Sequence, residues 1–182
     1  MTVPLVVTLN GVDRPGVVAR VSECARECGA SWSESRFAHL AGRFAGVVRL
    51  DVPEESVGAL ERALRGLDVE GLHVTVERGE VGAPAALPRL TLELVGQDRP
   101  GIVRDVSAVL ARHGVNIEEL ETEVESASMS AELLFRARAS LVLPESADVD
   151  ALREDLERLA DELMVDVQVD TGEPGDERGS AA

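Results

Sequence analysis

Asp-Arg-Pro-Gly occurs twice in this chain, beginning at Asp13 and at Asp98, and each copy leads into two β-branched residues and a helical pattern. The offset of 85 residues holds on either side of the motif: Gly11 corresponds to Gly96, Val18 to Val103, Val21 to Val106, Ser22 to Ser107 and Gly29 to Gly114. Farther on, Phe44 and Pro53 correspond to Phe135 and Pro144 at an offset of 91, so the second copy carries 6 extra residues near "SASMSAEL". A solenoid unit repeats every ~20 to 50 residues, so a period this long marks a duplicated domain. The 182 residues therefore divide into two small domains, and 45% apolar residues are enough to give each a core.

The same elements can be read in both copies. "PLVVTLNG" and "RLTLELVG" are short and apolar, as buried strands are. After the turn, Val17, Val21, Cys24 and Cys28 fall at helical spacing, as do Ile102, Val106 and Val109. Gly29 and Gly114 stop these helices, because glycine tolerates a positive φ. An extended stretch from Ser31 to Leu40, a turn at Ala41 and Gly42, and a strand from Phe44 to Val52 follow, with Pro53 ending the strand. A second helix shows Leu60, Ala63, Leu64 and Leu67 on one face; its twin shows Val149, Leu152, Leu156, Leu159 and Leu163. Each copy closes on a short alternating strand, "LHVTVE" from Leu72 and "MVDVQV" from Met164.

The order βαββαβ, twice, is the split βαβ arrangement of a ferredoxin-like sandwich, an α+β fold. The expected boundaries are residues 1–78 for the first domain and 89–169 for the second. Residues 79–88, rich in Gly, Ala and Pro, read as a linker, and 170–182 have the composition of a disordered tail.

Charge narrows the partners. With 34 acidic against 18 basic residues the formal net charge is -16, which disfavours a direct grip on nucleic acid or an anionic membrane. The N-terminus has neither the basic flank nor the long apolar run of a signal peptide, so the cytoplasm is expected. Cys24 corresponds to Val109, a slot that accepts a non-ligand, Cys28 corresponds to His113, and His39, His73 and His113 show no metal spacing. The cysteines thus read as small hydrophobes, and no metal or other cofactor is expected. Trp32 reads as a packing residue at a sheet edge. The acidic run from Glu118 to Glu125 alternates faces on a strand, so most of it should meet water. No catalytic grouping accompanies it, so an enzyme is not expected.

The repeated motif lies where the first strand becomes the first helix. Proline suits the first helical position, where its missing N–H has no intrahelical partner to lose. Glycine beside it leaves the backbone amides of the first turn unscreened, at the positive end of the helix dipole. The aspartate either caps those amides or faces the ammonium group of a ligand. An isolated motif of this kind reads more readily as an efficient strand-to-helix turn with a capping aspartate, a reading that duplication of the surrounding pattern weakens.

The βαββαβ order, the sequence Gly-x-Asp-Arg-Pro-Gly-(Val/Ile)-Val and "HGVNIEEL" from His113 are similar to ACT domains. A tandem pair without a catalytic domain resembles the family of glycine cleavage system transcriptional repressors. The resemblance implies a non-catalytic regulator that binds a small amino acid, glycine or serine in preference. It implies a ligand at the first loop and helix start, beside an interface where sheets join edge to edge. Carried over, Asp98, Gly101, Ile102 and Val103 would surround that ligand, with Asn116 and Ile117 completing the site. The first copy matches at Asp13, Gly16, Val17 and Val18, but has Ser31 and Trp32 in place of Asn116 and Ile117, which makes the second copy the expected binding domain. The implied partners are a second copy of the chain, as a homodimer, and a transcription factor or metabolic enzyme. The alternative is an interaction module without ligand that docks by its sheet edges.

Overall fold

The computed structural model describes residues 1–80, 87–126 and 133–171. The chain divides into two compact units, Met1–Pro84 and Ala85–Ala182. In unit 1, β1 (Thr2–Val12), α1 (Val17–Glu27), β2 (Ser31–Leu40), β3 (Arg43–Pro53), α2 (Val57–Arg65) and β4 (Leu72–Arg78) follow in order. Unit 2 repeats them as β5 (Arg89–Gln97), α3 (Ile102–Arg112), β6 (Asn116–Ser126), β7 (Leu133–Val142), α4 (Val149–Leu163) and β8 (Val165–Thr171). Each unit holds one antiparallel sheet, ordered β2-β3-β1-β4 and β6-β7-β5-β8. The two domains are thus βαββαβ ferredoxin-like sandwiches in tandem. The expected linker, the tail beyond Thr171 and the extra residues near "SASMSAEL" lie wholly or mostly outside the described residues.

One face of each sheet is covered by its helices. Leu5, Val7 and Leu9 of β1 alternate inward with Val48, Leu50 and Val52 of β3, and meet Val21, Leu60 and Leu64 from the helices. Leu90, Leu92 and Leu94 of β5 play the same part in unit 2, against Phe135, Leu141, Val106, Leu110, Leu152 and Leu156. The period of two along the strands and the 3.6-residue stripe of the helices put these positions on one side of each element. The two cores share no residue.

Cross-strand register explains the hairpin of unit 1. Ala41 and Gly42 both have positive φ, 50° and 77°, as the two central residues of a type I′ turn must, and its twist matches that of the flanking strands.

Three sequence expectations change. Proline does not open the helices: α1 and α3 begin at Val17 and Ile102, two residues after Pro15 and Pro100. Between them stand Gly16 and Gly101 with φ of 95° and 104°, so the chain makes a left-handed step before it winds. Leu67 is buried, but in a 3₁₀ turn from Gly66 to Glu70 that follows α2. Met164 is not in a strand; α4 runs to Leu163, and one residue must reverse the chain into β8, so Met164 takes a left-handed φ of 51° and is 78% exposed. Gly29 and Gly114 do end their helices in the expected conformation, with φ of 67° and 69°.

Candidate functional site

Each motif forms the loop between a central strand and a helix head. The backbone N–H of Asp13 donates to the Gly42 carbonyl at 3.2 Å and that of Asp98 to Leu133 at 2.9 Å, so both loops hang from the neighbouring β3 or β7 end of the sheet. Neither α1 nor α3 has a side chain capping its first turn, which removes the capping reading of Asp13 and Asp98. The contrast is α4, where Asp148 Oδ1 accepts from the Ala151 N–H at 3.0 Å. The first amides of α1 and α3 therefore keep their donors, with the helix dipole behind them.

The expected site residues divide in unit 2. Asp98 and Asn116 are exposed, Gly101 is half-buried, and Ile102 is in the core. Ile102, Val103 and Ile117 line one apolar recess between α3 and the helix-covered face of β6 and β7. Leu120, Phe135, Ala137 and Ala139, with Leu92 and Leu94 of β5, form the rest of its strand side, and Val106, Ser107 and Leu110 its helix side. Its free interior is about 20 Å³. In unit 1, Asp13, Gly16 and Val18 are exposed and Val17 packs against the core. Asp13 Oδ2 there lies 3.7 Å from His39 Nε2.

Two charged groups at the head of α3 escaped the motif reading. Arg104 and Asp105 form an ion pair at 2.8 Å. A Cβ placed on Gly101 would lie 3.7 Å from the Asp105 carboxylate and 3.8 Å from the Arg104 guanidinium. The signal was available in the repeat, since "GIVRDV" stands where unit 1 has "GVVARV". The acidic run lies on edge strand β6, and its residues are exposed or half-buried there. Glu125 pairs with Arg136, while Arg138 of β7 pairs with Glu93 opposite it on β5. Trp32 packs half-buried against the core of unit 1. Cys24 and Cys28 are free thiols against the same core, and burial pushes the Cys24 thiol up from its ordinary value. Among the described residues no group of His, Cys, Asp and Glu is arranged to hold a metal ion. No helix among them is long and apolar enough to cross a membrane.

Two βαββαβ sandwiches in one chain, each with an uncapped helix head beside its central strand, define a tandem ferredoxin-like module. The ACT domain family signature matches residues 3–77 and 89–170, and the chain belongs to the ACT domain family, with two copies of the domain in tandem. It is 24% identical over 161 residues to the glycine cleavage system transcriptional repressor of Escherichia coli strain K12, a match covering 87% of this chain and 85% of that one. It is 41% identical over 85 residues to a UPF0237 protein of Methanopyrus kandleri, covering 46% of this chain and 87% of that protein. Among solved structures, an unknown protein from Galdieria sulphuraria superposes with a TM-score of 0.81 at 31% identity, over 94% of this chain and 99% of the other. A candidate glycine cleavage system transcriptional repressor shares the fold, with a TM-score of 0.67 at 19% identity, over 93% and 97% of the two chains. The Escherichia coli relative, matched over most of its length, is a regulatory protein.

Proposed function

We propose that this chain is a non-catalytic cytoplasmic regulator that binds a small amino acid, glycine or serine in preference, at the head of α3. The observation that carries this reading is a conjunction in unit 2: uncapped amides and the Arg104–Asp105 pair stand at the head of the helix whose first turn walls a small apolar recess. An amino acid's carboxylate would take the helix amides and Arg104, and its ammonium group Asp98 or Asp105. Its side chain would enter between Ile102, Val103 and Ile117, with the Asn116 amide at the rim. A recess of about 20 Å³ favours the smallest side chains. Asp13, Gly16, Val17 and Val18 form the matching loop of unit 1.

Binding would order the loop before α3 and strengthen one arrangement of a homodimer joined by sheet edges, holding or releasing a transcription factor or metabolic enzyme. A coupling of about 1 to 3 kcal/mol is enough for such control. The net charge of -16 argues for a protein partner in place of DNA. The name of the Escherichia coli relative makes glycine the first compound to test.

The experiment is a thermal-shift screen of the twenty amino acids on the full chain. A ligand at 100 times its Kd should stabilise the fold by about 2.7 kcal/mol, and a response confined to small amino acids is expected. No response to any of them would overturn the reading. It would favour an interaction module docking by its edges, for which the exposed Leu120 and Val124 on β6 and Leu133 on β7 speak.

A further inference from the structure

The two units diverge at one cross-strand pair on the helix-covered face. In unit 1, Phe37 of β2 lies opposite Gly46 of β3. The Phe37 ring covers Gly46 so closely that a Cβ there would overlap it. The same ring stacks on Phe44, centroids 5.3 Å apart, and leans on Trp32 at 6.2 Å. In unit 2 the equivalent pair is Thr122 and Ala137. Ala137 places a methyl group where, by register, the ring would need to lie, and Thr122 supplies no ring.

Each pair is consistent within itself, since phenylalanine needs glycine opposite and alanine excludes phenylalanine. Around these pairs, Phe135, Ala137 and Ile117 line the recess of unit 2, while their counterparts Phe44, Gly46 and Trp32 surround the Phe37 ring. The helix heads differ in the same sense. Arg104 and Asp105 of unit 2 correspond to Ala19 and Arg20, so unit 1 has no carboxylate at that point of its helix to meet an ammonium group.

We propose that the Phe37 ring, 37% exposed, occupies the place in unit 1 that the recess has in unit 2, and that the chain carries a single amino-acid site, in unit 2. The site itself rests on the reading of unit 2 given above; the occupancy of unit 1 does not.

Two measurements decide it. Calorimetric titration of the full chain with glycine and with serine is expected to give one ligand per chain, with the emission of Trp32, the sole tryptophan, unchanged. Importing the unit 1 pair into unit 2, as Thr122→Phe with Ala137→Gly, should weaken binding at least tenfold while circular dichroism stays native. Ala137→Val, which fills the recess without a new ring, should act likewise should the double variant not fold. Two ligands per chain, or wild-type affinity in these variants, would overturn the proposal. The second measurement uses xenon, which enters small apolar cavities, read by methyl NMR. Shifts are expected at Ile117, Leu120 and Ala137, with Val17 and Val21 responding only in Phe37→Ala. If no amino acid binds the wild-type chain, the proposed function falls and xenon alone decides the occupancy of unit 1: equal shifts in both units of the wild-type protein would refute it.

Discussion

At the scale of single residues, the informative positions are Gly16 and Gly101. Their φ values of 95° and 104° fall where a Cβ is disfavoured. The space around Gly16 is open, so substitution there meets backbone strain and no clash. Gly16→Ala and Gly101→Ala should each lower stability by about 1 to 2 kcal/mol. Gly66 is the control, because its φ of -60° is helical and its surroundings are empty. Gly66→Ala should be neutral or stabilising by up to about 1 kcal/mol. Urea titration of the three variants checks this, and equal losses in all three would show that the left-handed step is not what the motif glycines supply.

At the scale of elements, unit 2 has a polar tie between its helices that its twin lacks. His113, which ends α3, places Nε2 3.0 Å from Asp155 Oδ2 on α4. Arg158 Nη1 lies 2.9 Å from the other carboxylate oxygen, and Arg112 Nη2 lies 3.8 Å from Oδ2. The hydrogen bond with His113, and then the charge of Arg158, hold the Asp155 carboxyl below its ordinary value of 3.8. A carboxyl lowered by folding stabilises the native state above its unfolded pKa, and that contribution is lost as pH falls through the lower folded value. The excess stability of the wild-type chain over Asp155→Asn should therefore be complete near pH 5 and shrink below pH 3.8. Thermal melts at about pH 5 and pH 3 test it; an undiminished difference at the lower pH would count against the tie. In unit 1, Cys28 stands where His113 does and packs as an apolar group against the core.

At the scale of the whole molecule, each unit buries its own apolar face against its own helices, and neither core borrows a residue from the other. Fragments 1–80 and 87–171 should each melt cooperatively on their own, monitored by circular dichroism. Domains near 80 residues are only modestly stable, so both fragments are expected to unfold at moderate urea. A fragment that stays unstructured would mean that its sandwich depends on the other unit.

The architecture was legible in the sequence. The repeat at an offset of 85, the strand and helix periods, and the stops at Gly29 and Gly114 dictated two βαββαβ sandwiches, because such signals depend on neighbours a few residues away. The motif also marked the loop where the site is proposed, and the family resemblance implied Ile102, Val103 and Ile117 beside it. The conformation of that loop was settled by contacts across the sheet. The left-handed step that delays each helix past its proline depends on how the loop hangs from the sheet. The ring of Phe37 over Gly46 and the hydrogen bond of His113 with Asp155 join residues whose separation in the chain leaves no local trace. The same holds for the size of the unit 2 recess, because free volume is what remains after side chains from three strands and a helix have packed.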